Sequence, residues 1–246
     1  MPVALVRNLV EWIPQSVESV SILSGPLVLA GYLVGSIPFG YLLSRGRLRR
    51  QLSAGGPLPS PRRSADPLDV PGVMGAGALA ALATLFVTTV AWDIGLAAAP
   101  AGNIGAVGTF SNQAVGAWVS VALWTGMGAV VGNVAPVWSG FRGASGVPPT
   151  LALLVAYAPV VFVAGIAACL LGWLATRSTR LGLLVSLPVA VSATYVSWIA
   201  DVQTSWGVTN GPELTLWVAV LAGVLAVRNL RPAPGDPTAP SSSAPQ

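Results

Sequence analysis

Residues 132–146 read GNVAPVWSGFRGASG and separate two long apolar runs. The predicted functional site of the chain is built around this stretch. The stretch holds four glycines, one proline and the single arginine Arg142. Glycines let a backbone turn tightly and expose its N–H groups, and such a concavity can hold an anion. A guanidinium beside it adds a planar fork of donors that suits a phosphate. We interpret the stretch as a phosphate-binding loop at a membrane edge; the alternative is a plain glycine-rich turn between helices.

The composition predicts an all-α, polytopic membrane protein. Hydrophobic residues make up 54% of the 246 residues and charged residues only 8%, whereas about a quarter of a soluble domain is charged. Several apolar runs reach the roughly 20 residues that a helix needs to cross a bilayer. These runs are continuous rather than alternating, which argues against a closed barrel.

The residue types that are missing limit the chemistry. All 12 basic residues are arginine, and the chain has neither lysine nor histidine, so a histidine base, a lysine Schiff base and a histidine metal site are excluded. The lone Cys169 lies in an apolar run, so we expect no disulfide within the chain and no cysteine metal cluster. We also expect no other metal site and no cofactor. The arginines follow the ends of apolar runs, which favours a role in membrane orientation over nucleic-acid binding.

Six apolar runs are the candidate membrane spans: 22–43, 73–99, 115–131, 147–175, 181–200 and 214–227. The run 147–175 is longer than one crossing requires. A break near Pro159 gives two short helices and about seven in total, whereas one unbroken helix gives six. The two-helix interpretation puts every arginine except Arg7 on one face, including Arg228 and Arg231 after the last span, and we prefer it.

The polar segments predict the domain organisation. Residues 1–20 suit an interfacial helix and lack the pattern of a cleaved signal peptide. Residues 21–230 form one membrane domain with a basic connector at 44–70, and 231–246 form a disordered tail. The positive-inside rule places the arginine-rich loops in the cytoplasm and the N-terminus outside, in a bacterial-type plasma membrane. The connector arginines attract anionic lipid or substrate, or act as topology determinants only.

Two motifs carry a family resemblance. The first span contains Gly-Ser-Ile-Pro-x-Gly-Tyr at 35–41, and with the loop at 132–146 it resembles the bacterial membrane glycerol-3-phosphate acyltransferases that use acyl-phosphate as donor. In the loop, Asn133 stands where the family signature has histidine, and Ser145 where it has lysine. The loop positions that match the signature are Gly132, Pro136, Val137, Phe141, Arg142, Gly143, Gly146 and Val147.

Three weaker matches lie elsewhere in the chain. Gly72, Gly75 and Ala76 fit the small positions of another family loop. Asp93 matches a family aspartate, and we assign it a structural role: a carboxylate within a span needs a partner or a wet cavity, unless it reaches interfacial water at the helix end. Near residue 180, the positions that match a further signature are Thr176, Arg177 and Leu181, with Arg180 in place of a serine.

The resemblance implies a reaction: an acyl group moves from acyl-phosphate to the 1-hydroxyl of glycerol-3-phosphate, giving lysophosphatidate for phospholipid synthesis. Ser36, Asn133 and Arg142 are the predicted catalytic residues. We expect the end of the first span, the central loop and the Arg177 turn to converge, with the fatty chain between helices open to membrane lipid. The predicted phosphate-binding residues are Arg45, Gly143, Ser145, Gly146, Arg177 and Arg180.

Two other functions compete with this one. The first is a non-catalytic protein of the same fold that binds lipid or a protein partner, whose identity the sequence does not indicate. The second is a small-solute transporter, which has less support because intramembrane charges and repeated halves are sparse.

Overall fold

The computed structural model describes residues 17–43, 70–98, 114–141, 143–200 and 212–230. The regular structure of these residues is helical, so the all-α prediction is confirmed. The seven α-helices are α1 Val17–Gly35, α2 Val70–Ala98, α3 Ala114–Val134, α4 Val147–Tyr157, α5 Pro159–Thr176, α6 Thr179–Ile199 and α7 Pro212–Leu230, and a 3-10 turn spans Val137–Ser139.

Length and composition suit these helices to a bilayer. Four stretches of the described residues are long and apolar enough to cross a membrane: Ile22–Leu43, Gly72–Gly95, Pro159–Thr176 and Thr179–Ile199. Two shorter apolar helical stretches, Ser120–Val134 and Val147–Tyr157, accompany them. The helical bounds agree with the predicted spans, except in the first span. There α1 already begins at Val17, inside the segment 1–20 assigned to an interfacial helix, and it ends at Gly35 rather than at residue 43.

The long apolar run after the central loop is broken where the sequence indicates. Helix α4 ends at Tyr157 and α5 begins at Pro159. Proline has no N–H to continue a helix and disfavours helical geometry in the residue before it. Ala158 accordingly has φ −147° and ψ 62°, outside the helical region. The seven-helix interpretation is confirmed, and the six-helix alternative is wrong.

Helix α3 lies at the centre of the bundle. Leu123 and Val130 on α3 are fully buried in a core cluster that also draws side chains from α4 and α7. The indole N–H of the fully buried Trp217 on α7 donates to the carbonyl oxygen of Leu123 at 3.0 Å. A buried indole N–H needs such a partner, so this bond fixes α7 against the middle of α3.

Glycines bring α1 and α3 into backbone contact. Gly31 and Gly35 are four residues apart on α1, and so are Gly128 and Gly132 on α3. A Cβ built at Gly35 would overlap the carbonyl group of Ala129, and one at Gly132 would overlap the carbonyl oxygen of Tyr32. Small residues at this spacing let helices approach closely in a membrane, where packing rather than the hydrophobic effect drives association.

The first span is itself broken beside this contact. Helix α1 ends at Gly35, Ile37 and Pro38 are not helical, and the chain is helical again at 39–43. Pro38 explains the break, because proline cannot donate the hydrogen bond that would continue α1. The short non-helical segment that follows Gly35 therefore lies beside the C-terminal end of α3.

Several sequence predictions fall outside the described residues. They are the interfacial segment up to residue 16, the connector with Arg45 up to residue 69, Arg142, and the tail 231–246. The predicted domain limits stay predictions.

We predict that Gly132→Ala destabilises the protein, because its Cβ has no room against α1. Overpacking of this kind costs about 1–3 kcal/mol. Gly25→Ala on α1 is the matched control: no heavy atom lies within 4 Å of its built Cβ, so its melting temperature in detergent should stay the same or rise slightly. Equal melting temperatures for the two variants would contradict the close packing of α1 on α3.

Candidate active site

A cleft of about 650 Å³ opens where the first span, the start of α2 and the central loop meet. Three parts of the chain supply the residues that line it. They are 35–43, 72–80, and the end of α3 together with the central loop and the first turn of α4. Gly72 and Ala76, from one of the weaker signature matches, are among the lining residues. Three of the sequence-predicted regions are thus brought together.

Asn133 is the buried polar side chain of the cleft. It lies at the last turn of α3, lines the cleft, and is only 9% exposed. Its Oδ1 atom has no hydrogen-bond partner in the described part of the chain. An unsatisfied buried acceptor costs about 1–3 kcal/mol, and the side chain that carries it belongs to a residue that lines the cleft.

The central loop folds back onto the end of α3. The N–H of Gly143 donates to the Val134 carbonyl oxygen at 3.1 Å, and the N–H of Ala144 donates to that of Asn133 at 2.9 Å. These bonds satisfy carbonyls that the end of a helix leaves unpaired. They also correct the expectation that this loop exposes its N–H groups, because two of them are engaged by α3.

Two glycines of the loop are required by its geometry. A Cβ at Gly143 would overlap the Asn133 carbonyl oxygen and the ring of Pro136. Gly146 has φ +72°, a left-handed conformation that side chains disfavour, and caps the start of α4. Ser145 and Pro148 beside it line the cleft. The positive end of the α4 dipole therefore lies at the cleft wall, where it favours an anion.

Side chains from α1 and α7 fasten the loop at both ends. The Tyr32 hydroxyl donates to the Ala135 carbonyl oxygen at 2.9 Å. The Arg228 guanidinium donates from Nη2 to the Gly143 carbonyl oxygen at 2.7 Å and from Nε to that of Ala144 at 3.3 Å. The sequence pattern indicates only membrane orientation for Arg228, since nothing local connects this residue to a loop 85 positions earlier.

Ser36 lies beside the cleft rather than in its lining. The side chain is fully buried, and its Oγ donates to the Tyr32 carbonyl oxygen at 2.7 Å. Its chain neighbours Gly35 and Ile37 do line the cleft. In this geometry the hydroxyl stabilises the end of α1.

The Arg177 turn does not contribute to the cleft lining. Of the three segments expected to converge, the end of the first span and the central loop do so, and the start of α2 joins them instead of the Arg177 turn. Arg177 and Arg180 are exposed, and the Arg177 guanidinium lies 6.0 Å from the centroid of the Trp173 ring. Asp93 is exposed on α2, about 24 Å along the helix from Gly77 at 1.5 Å per residue. Arg45 and Arg142 lie outside the described residues.

Comparison with known proteins identifies the family. The family model described as glycerol-3-phosphate acyltransferase matches residues 73–232, well over half of the chain. The chain belongs to the glycerol-3-phosphate acyltransferase family. The resemblance carried by the first span and the central loop is thereby confirmed.

Relatives named glycerol-3-phosphate acyltransferase match over most of their length. One from Azotobacter vinelandii is 29% identical over 203 residues, covering 82% of this chain and 90% of the relative. One from Anaeromyxobacter sp. is 32% identical over 187 residues, covering 73% and 81%. One from Cereibacter sphaeroides is 36% identical over 184 residues, covering 72% and 71%.

Solved structures share the fold. The crystal structure of PlsY (YgiH), an integral membrane glycerol 3-phosphate acyltransferase, in its glycerol 3-phosphate form, matches with a TM-score of 0.55 and 20% identity, over 84% of this chain and 88% of that one. Its lysophosphatidic acid form matches with a TM-score of 0.52 and 21% identity. The shared fold and the apolar helices establish an integral membrane protein.

We predict that Tyr32→Phe loosens the start of the central loop, because it removes the hydrogen bond to Ala135. The loss should be about 1 kcal/mol of stability, measured as a lower melting temperature in detergent. Tyr195→Phe on the exposed face of α6 is the control and should stay within about 0.5 kcal/mol of the wild type. If Tyr32→Phe and the control have the same melting temperature, the hydrogen bond from Tyr32 to Ala135 does not stabilise the loop.

Proposed function

We propose that this protein is a membrane acyltransferase that moves an acyl group from acyl-phosphate to the 1-hydroxyl of glycerol-3-phosphate, giving lysophosphatidate for phospholipid synthesis. Family membership supports the acceptor and the reaction class. The observation that carries the proposal is the cleft, which is lined both by Asn133 and by Ser145 and Pro148 at the positive end of α4. Such a site suits a ligand that presents both a hydroxyl donor and a phosphate.

The reaction forms one bond and breaks another. The hydroxyl oxygen of glycerol-3-phosphate attacks the acyl carbonyl carbon, and a new C–O ester bond forms. The bond from that carbon to the phosphate oxygen breaks, and the hydroxyl proton leaves with inorganic phosphate. Because acyl-phosphate is already activated, no covalent intermediate on the protein is needed, and the protein acts by positioning and charge stabilisation.

We assign the departing phosphate as the base for the hydroxyl proton, because the described residues that line the cleft include no carboxylate. The chain contains no histidine and no lysine. Glu213 lies in the first turn of α7, about 22 Å along the helix from Arg228 and the loop. Asp93 lies at a similar distance from the cleft, along α2. A phosphate group, with a second pKa of about 6, accepts the proton within the substrate pair.

The predicted site residues receive roles within this proposal. Asn133 accepts the hydrogen bond of the acceptor hydroxyl, and Ser145 contacts a phosphoryl oxygen at the start of α4. Ser36 keeps the broken end of α1 in place. Gly143 and Gly146 let the loop lie close to the substrate. The arginines proposed to bind phosphate directly or to draw anionic substrate toward the cleft are Arg45, Arg142, Arg177 and Arg180.

The apolar side chains around the cleft suit the acyl chain. Tyr41, Val73 and Met74 are each more than half exposed, and Tyr41 and Val73 line the cleft. Exposed apolar side chains of this size on membrane helices contact lipid. The acyl chain of the donor therefore enters sideways from the bilayer. We place the cleft on the arginine-rich, cytoplasmic side, with the N-terminus outside.

The test is an acyl-transfer assay with purified full-length protein in detergent. We expect lysophosphatidate from glycerol-3-phosphate and acyl-phosphate, and none when acyl-coenzyme A with the same chain replaces acyl-phosphate. Asn133→Leu keeps the branched shape of the side chain but cannot hydrogen-bond, so kcat should fall about 100-fold. Asn133→His restores the family residue and should keep activity.

Leu216→Ala, an exposed position of α7, is the control and should retain wild-type turnover. An inactive wild type, in an assay where another family member works, would leave the non-catalytic lipid-binding alternative. Turnover with acyl-coenzyme A would overturn the assignment of the donor alone.

A further inference from the structure

Arg228, in the last turn of α7, is joined to the wall of the cleft by two charge-assisted hydrogen bonds. They run to the carbonyl oxygens of Gly143 and Ala144 at 2.7 and 3.3 Å. A guanidinium is a planar fork, and it can hold two neighbouring acceptors at once in a fixed geometry. The contact thus links the end of the described chain to its central loop.

The peptide group between Gly143 and Ala144 is held at both of its ends. Its carbonyl oxygen accepts from Arg228, and its N–H donates to the Asn133 carbonyl oxygen at 2.9 Å. A peptide group is planar and rigid, so bonds at both ends fix its orientation. The residue that supplies the acceptor on the α3 side is the same Asn133 that lines the cleft.

An apolar contact supports the same arrangement. Leu225 lies three residues before Arg228, on the same face of α7. A Cβ built on Gly146 would lie 3.3 Å from Leu225 Cδ2. Helix α7 therefore contacts the loop at two points, a polar one at 143–144 and an apolar one at Gly146. Between these two points lies Ser145, which lines the cleft.

We propose that Arg228 is a positioning residue for acyl transfer. It holds residues 143–146 against the end of α3, so that Ser145 and the start of α4 keep one spacing from Asn133 in the cleft wall. The proposal rests on the proposed function, since it assigns Arg228 a part in that reaction. It acts through the loop and not through contact with the substrate.

Three variants separate positioning from packing and from charge. Arg228→Met keeps an apolar stem but has no donor. Its melting temperature should fall at least as far as that of Tyr32→Phe, and kcat measured well below that temperature should fall about tenfold or more. Arg228→Lys keeps the charge but bonds one carbonyl at a time, and should recover part of the lost rate. Arg231→Gln removes the same unit of charge three residues away and should keep wild-type kcat.

Each contrary outcome overturns the proposal. Wild-type kcat in Arg228→Met would show that the contact does not matter for the reaction. A loss of activity that follows the melting temperature, without rescue by lysine, would show a structural role only. An equal loss in Arg231→Gln would show a general effect of charge.

A second measurement does not depend on activity. In full-length protein carrying Cys169→Ala and Ser145→Cys, the rate of maleimide labelling at position 145 reports the mobility of residues 143–146 in the cleft wall. Adding Arg228→Met should raise that rate several-fold, and an unchanged rate would overturn the proposal. If the wild type transfers no acyl group, the proposed function fails, while the labelling rate still decides whether Arg228 holds the wall.

Discussion

Backbone contact between α1 and α3 is the constraint on which the site depends. Between helices in lipid, association comes from close packing and from hydrogen bonds rather than from the hydrophobic effect. Gly35 and Gly132 lie where any side chain would overlap the facing helix. Because the contact reaches the end of both helices, it also fixes the break after Gly35 against the last turn of α3. Tyr32 then lies close enough to bond the Ala135 carbonyl oxygen.

Irregular backbone at such a place needs protein around it. Non-helical segments at membrane depth are tolerated where protein buries them or where they line a cavity. Here the end of α3 and the loop satisfy one another, since the N–H groups of Gly143 and Ala144 cap carbonyls of the helix. Arg228 donates hydrogen bonds to the carbonyl oxygens of the same two residues, Gly143 and Ala144. The loop can therefore be irregular without leaving these polar backbone groups unpaired.

The sequence predicts those features that depend on neighbouring residues. Proline at position 159 divides an apolar run, and the motif at 35–41 marks the end of the first span, because both effects are local to the backbone. The long-range bonds of Arg228 and Trp217 join residues 85 and 94 positions apart, and no periodicity indicates such pairs. Residue types alone also suggested free N–H groups in the loop, whereas their use by α3 follows only from the fold.

The buried amide of Asn133 links stability to function in this site. Elsewhere in the bundle, buried hydroxyls such as those of Thr84, Thr88 and Thr125 donate to carbonyl oxygens of their own helices, so their burial costs little. Asn133 Oδ1 has no such partner among the described residues. In the proposed reaction, the hydroxyl of the acceptor supplies this missing bond and recovers part of that cost. The proposal therefore assigns polar recognition at this depth to the acceptor alcohol and not to the acyl chain.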